Sequence, residues 1–136
     1  MNSTRRPLLG ALVLGSVWLG SQPACQRSAD ARPEYRMLAE RLARLPKERQ
    51  ALRIIGSAYL ASLDDRPTAE QIAAAWFPSE NERRRALGLK PQRLAEHVAG
   101  RTLDDYRHDR VVSVRGWLLS ETEARFAALT ALIRRL

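Results

Sequence analysis

The residue types that could carry chemistry are few and widely spaced. The histidines are His97 and His108. On one helix that separation is about three turns, or ~16 Å of rise, too far for the two rings to share a metal ion. His108 follows Asp104 by four positions, so an imidazole and a carboxylate stand one turn apart and can touch. A lone ion pair on a polar face accounts for that spacing more simply than a ligand set. A pocket gathering His97, His108 and the Asp104-Asp105 pair is what a small hydrolase or metal enzyme would need. Asp64-Asp65 and Asp104-Asp105 are the paired acids, but adjacent acids on a helix point away from each other. Cys25 has no second cysteine to pair with. No serine lies in a nucleophile-elbow pattern, and helix capping accounts for Ser120. No Gly-rich phosphate loop occurs. The expectation is therefore a protein that is not an enzyme, with no catalytic residue, cofactor or metal.

The elements that would hold these residues read as helices. Tyr35, Leu38, Leu42 and Leu45 recur at spacings of three and four, and Pro46 interrupts them at the first turn of a second helix. Leu52, Ile55, Tyr59 and Leu63 continue the spacing, with Gly56-Ser57-Ala58 as a small-residue patch that predicts a tight crossing. Thr68 with Gln71 and Ser79 with Glu82 are capping boxes opening two short helices. The first runs through Ile72, Ala75 and Trp76; Gly88 stops the second. Pro91 opens the next helix, which Leu94, Val98, Leu103 and Tyr106 line and which Gly100 weakens or bends. Arg83-Arg84-Arg85 reads as surface.

Residues 111–119 break the pattern. Val111-Val112-Ser113-Val114 is a β-branched run, and Arg115-Gly116 suits a turn before Trp117-Leu118-Leu119. A small hairpin follows from this. Ser120-Glu121-Thr122-Glu123 is a third capping box, ahead of a helix with Phe126, Leu129, Leu132 and Ile133 on its buried face and Arg134-Arg135 at its negative end. The fold class is mainly α: a small helical domain of about five or six helices with a short extended or hairpin excursion near 111–119. Trp76 and Trp117 both read as core plugs, the alternative for each being an exposed anchor for a partner. If a partner binds, Arg110, Arg115 and Trp117 are the residues to examine first, since partner surfaces favour Trp, Tyr and Arg.

The N-terminus sets the setting. Arg5-Arg6-Pro7 precedes an uncharged apolar run from Leu8 to Leu19, too short for a spanning helix, in the layout of an export signal. The alternative for that run is a buried core helix. Ser3-Thr4-Arg5-Arg6 with Leu8 and Leu9 resembles a twin-arginine signal, though Gly10 stands where Lys belongs, so the general secretory route stays open. The segment ends either at Ala29-Asp30-Ala31, by the small-x-small rule, or at Cys25, placed as a lipidated cysteine would be. Residues 1–31 are thus export signal and tether, removed or lipidated at Cys25, and 32–136 a single helical domain. That domain carries 20 Lys+Arg against 14 Asp+Glu, net +6, and 18 of the cations are Arg. A basic balance suits nucleic acid, anionic lipid or an acidic protein face. Export leaves nucleic acid aside, and confines membrane contact to the signal or a lipid anchor.

The run Gly116-Trp117-Leu118-Leu119-Ser120-Glu121-Thr122-Glu123-Ala124-Arg125, with Ile55-Gly56-Ser57-Ala58-Tyr59-Leu60 upstream, resembles a family of small exported proteobacterial proteins. The resemblance implies export and a shared fold, and no catalytic residue. Size and signal also suggest an analogy with the small twin-arginine-exported subunits that escort membrane-bound dehydrogenases. Two functions are expected from this. One is a non-enzymatic accessory or escort subunit of an envelope complex, such as a periplasmic oxidoreductase, with a larger envelope protein as partner. The other is a free-standing lipoprotein or periplasmic module binding through an Arg-rich surface. Either places the protein in the periplasm or cell envelope.

Overall fold

The computed structural model describes residues 32–133; Arg5, Arg6, Cys25, Arg134 and Arg135 lie outside them. Six helices and one two-stranded sheet follow in order: α1 (Pro33–Ala43), α2 (Arg49–Ala61), α3 (Ala69–Trp76), α4 (Glu80–Gly88), α5 (Pro91–Arg107), β1 (Val111–Val114), β2 (Trp117–Ser120) and α6 (Glu121–Leu132). This is the mainly helical domain with a hairpin that the sequence predicts.

The helix starts follow from local chemistry. All three predicted capping boxes form, at Thr68–Gln71, Ser79–Glu82 and Ser120–Glu123, each satisfying two amides that the first turn leaves without a helical acceptor. Pro91 occupies the first turn of α5, where its missing N–H is no loss. Pro46 does not play that part, because α2 starts three residues later at Arg49. Gly100 leaves α5 continuous from Pro91 to Arg107.

α6 is the centre of the molecule. It packs against α1, α2, α3, α5 and both strands, and Ala124, Ala127, Ala128 and Leu129 are fully buried. The predicted one-sided face of Phe126, Leu129, Leu132 and Ile133 is therefore too narrow. Leu132 is exposed, and buried Thr122 and Thr130 belong to the interior instead. Thr130 satisfies its hydroxyl by donating to the Phe126 carbonyl one turn back. Small side chains around α6 let α2 approach closely. A Cβ on Gly56 would lie 2.0 Å from the Ala127 carbonyl oxygen, so the crossing predicted at Gly56-Ser57-Ala58 is a backbone contact.

The rest of the core includes Tyr35, Leu38 and Leu42 of α1, Tyr59 and Leu60 of α2, Ile72 and Trp76 of α3, Phe77, Leu94 and Val114. Trp76 is a core plug, with its ring 6.3 Å from that of Phe126. Arg83 corrects the reading of 83–85 as surface: it is buried, its guanidinium 5.0 Å from the Tyr35 ring centre while Nη1 donates to the Tyr35 hydroxyl. Within α3, Ala73 is buried beside Ile72 and Trp76, whereas Ala75 is exposed. Arg41 of α1 reaches the end of α4 and donates to the carbonyls of Ala86, Leu87 and Leu89, adding to the Leu89 amide that Ala86 already accepts.

Candidate functional site

Two regions bring chemistry-bearing residues together, and one side chain, Arg110, joins them. α5 ends in a Schellman turn. Asp109 takes the left-handed φ of +52°, and the Arg110 amide bonds back to the Asp105 carbonyl at 2.9 Å. The turn points the chain into β1 and folds the Arg110 side chain back onto α5. Its Nε donates to Asp105 at 2.8 Å and its Nη2 to Asp104. Adjacent acids thus share one cation, against the expectation that they point apart, because a guanidinium spans the angle between them. The second oxygen of Asp105 accepts the Thr122 amide at 2.7 Å, at the positive end of α6. Burial pushes the Asp105 carboxyl up, but hydrogen bonds from Thr122 and Arg110 outweigh it, and the net shift is downward. Asp105 therefore stays ionised as a structural clamp between α5, the hairpin and α6.

Beside this clamp lies a cavity of about 370 Å³ lined by His97, Gly100, Arg101, Asp104, Asp105 and Arg110. It gathers His97 with the paired acids. His108 is absent from its lining and instead sits 3.3 Å from Asp104, the contact its spacing predicts. Both carboxylates in the cavity are paired with Arg110. The His97 imidazole, stacked 5.0 Å from the Phe77 ring, is pushed down first by burial and then by the Arg101 charge. Among the described residues no group of three His, Cys, Asp or Glu could hold a metal ion.

The second region is the hairpin. Its register pairs Val111 with Ser120, Val112 with Leu119, Ser113 with Leu118 and Val114 with Trp117. The turn residues Arg115 and Gly116 have φ of +51° and +85°, as a two-residue type I′ turn requires. Val112, Val114 and Leu119 pack on the core. Trp117 shares their face by the pleat, opposite buried Val114, yet is 70% exposed. This overturns its reading as a plug. Leu118, on the other face, is 65% exposed. At the base, the Glu121 amide donates to the Arg110 carbonyl and the Tyr106 hydroxyl to Glu123. Leu103 and Tyr106, read as lining the core, are both exposed, and Asp105 occupies the inward position between them.

The three residues singled out for partner contact thus divide. Arg110 is engaged as a clamp, whereas Arg115 and Trp117 stand exposed at a fixed tip. Sequence reasoning missed the burial of Asp105 and Arg83, polar side chains that stand on the buried faces of α5, with Leu94 and Val98, and of α4, with Ala86. No family model matches the chain, and no match was found among curated proteins or solved structures. Among the described residues no helix is long and apolar enough to cross a membrane.

Proposed function

We propose that this protein is a non-enzymatic accessory subunit of the cell envelope, exported through its Arg5-Arg6 segment, and that it docks a larger partner by the hairpin tip. The observation that carries this reading is a pair of large apolar side chains, Trp117 and Leu118, held out from a hairpin that is clamped at its base and seated on the core. Burying side chains of this size is worth about 1.5–3 kcal/mol each, and that stabilisation is unclaimed in the isolated chain. A clamped tip loses little entropy on docking, which favours affinity. The pairing of Asp104 and Asp105 with Arg110, and of Asp105 with the Thr122 amide, supports a structural use of these acids. An oxidoreductase is the partner class that the twin-arginine-like signal favours.

The test is an affinity pull-down of the tagged protein from its own envelope fraction, through a salt wash, with mass spectrometry of what remains bound. One larger protein at near-equal amount, lost when the bait is Trp117→Ala, is the expected result. A wild-type bait that returns alone overturns the reading.

A further inference from the structure

Beside the hairpin turn runs an open groove of about 700 Å³ lined by Gln50, Arg53, Ile54, Ser57, Ala58, Ala61 and Arg115. All but Arg115 come from one stripe of α2, the side away from the Gly56 crossing with α6. Its floor is apolar and shallow, with Ile54 56% exposed above Ala58 and Ala61. Two guanidinium groups border it, and no carboxylate does. The Nε–H of Arg53 is shielded from solvent yet has no acceptor among the described residues. Arg115 adds a second sign. It occupies a left-handed turn position that favours Asn, Asp or Gly, so the turn itself gains nothing from an arginine there.

From this geometry we infer that the groove receives an acidic amphipathic helix of the docked partner, with carboxylates on Arg53 and Arg115 and apolar side chains over Ile54, Ala58 and Ala61. The inference rests on the accessory-subunit reading and deepens it by naming the chemistry of the partner's contact. Charge complementarity selects the acid: two cations face the groove with nothing of opposite sign. The lining favours a helix over a bilayer, because it is a single stripe along the axis of α2 with small side chains at Ser57, Ala58 and Ala61, along which a second helix can pack lengthwise. The exposed Trp117 and Leu118 then close on the same partner from the hairpin tip.

The probes are three stapled helical peptides of about 14 residues, similar in length to α2, with the same Leu/Ala face and a polar face of Glu, Gln or Lys. Binding to the full chain is read by fluorescence anisotropy across salt concentrations. The Glu-faced helix should bind, and more weakly as salt rises; the Gln and Lys forms should bind at least about tenfold more weakly. Arg53→Gln and Arg115→Asn should each weaken the Glu form about tenfold, while Arg115→Asn leaves the thermal midpoint equal or raised, which separates docking from folding. Equal binding of the Glu and Gln forms overturns the inference. So does preferential, Arg53- and Arg115-dependent binding to phosphatidylglycerol vesicles, which would make the groove a lipid site. If the envelope pull-down returns a partner that the Arg53→Gln, Arg115→Asn double variant still holds, docking lies elsewhere and only the groove falls. If the Glu-faced helix binds as stated but the wild-type bait returns alone, the accessory-subunit reading falls and the groove chemistry stands.

Discussion

Gly56→Ala sets two opposing effects against each other at one position. In an isolated helix the change is favourable, since Ala exceeds Gly in helix propensity by about 1 kcal/mol. Here the new methyl would meet the Ala127 carbonyl oxygen at 2.0 Å, its carbon at 2.3 Å and the Ala128 nitrogen at 2.7 Å. All three are backbone atoms of α6, so no side chain can rotate away. α2 and α6 must separate by about 1 Å before the nearest contact reaches even 3.0 Å, and every buried contact along that crossing loosens with it. Overpacking of this kind typically costs about 1–3 kcal/mol and more where backbone is the obstacle, so steric cost outweighs propensity. The expected net loss is about 2–3 kcal/mol, seen as a lower denaturation midpoint at unchanged m-value. Gly100→Ala is the internal control. Gly100 lies within α5 with nothing within 4 Å of its would-be Cβ, so propensity acts alone and stability should rise by about 0.5–1 kcal/mol. Urea titrations of both variants followed by far-UV circular dichroism give the comparison. Equal or greater stability of Gly56→Ala would refute the backbone-contact account of the crossing.

Three further outcomes follow from the clamp, the tryptophans and the signal. Asp105→Asn should destabilise the domain by about 2 kcal/mol, because it weakens the Arg110 contact and the cap on Thr122. Its carboxyl is held below the ordinary value of 3.8, so its contribution is present above that pH and lost as pH falls through the lower native value; the variant should show a shallower acid limb in midpoint-versus-pH curves. Trp117→Ala should change the thermal midpoint little, within about 0.5 kcal/mol, whereas Trp76→Ala should cost about 3–5 kcal/mol. Scanning calorimetry distinguishes the two, and equal losses would contradict the exposed tip. Arg5→Lys with Arg6→Lys should abolish export if the twin-arginine route is used, as fractionation and immunoblotting would show; continued export would remove the main support for a cofactor-bearing partner.

Local rules made much of this fold legible in advance. Each capping box is a four-residue signal complete in itself, and Arg115-Gly116 between two β-branched or aromatic runs needs no tertiary information to turn. What escaped are the positions decided by neighbours remote in sequence. α6 has a run of small residues rather than a ridge of large ones, so its all-round burial leaves little periodic trace. Asp105 is polar and looks like a solvent residue until the α6 N-terminus is placed beside it. Trp117 alternates correctly with Leu119, and the pleat alone would turn it inward, yet it is exposed opposite buried Val114. The same holds for the candidate site. Arg115 and Trp117 were readable as partner-facing, while Arg110 was assigned to contact by type and proved to be internal wiring.

The placing of α6 also has a temporal consequence. Each of the other helices except α4, and both strands, close on a helix that follows every one of them along the chain. During synthesis α1, α2, α3 and α5 emerge with apolar sides that still lack α6, the last element to cover them. The hydrophobic interior is consequently completed in a late step, joining residues 49–61 to 121–132 across a long sequence separation, which slows folding relative to a bundle of adjacent hairpins. A nascent chain halted before residue 121 would be an open, chaperone-dependent species however much helix it contained. Any quality-control step that inspects this protein for a finished interior is in effect asking whether its last dozen described residues have arrived.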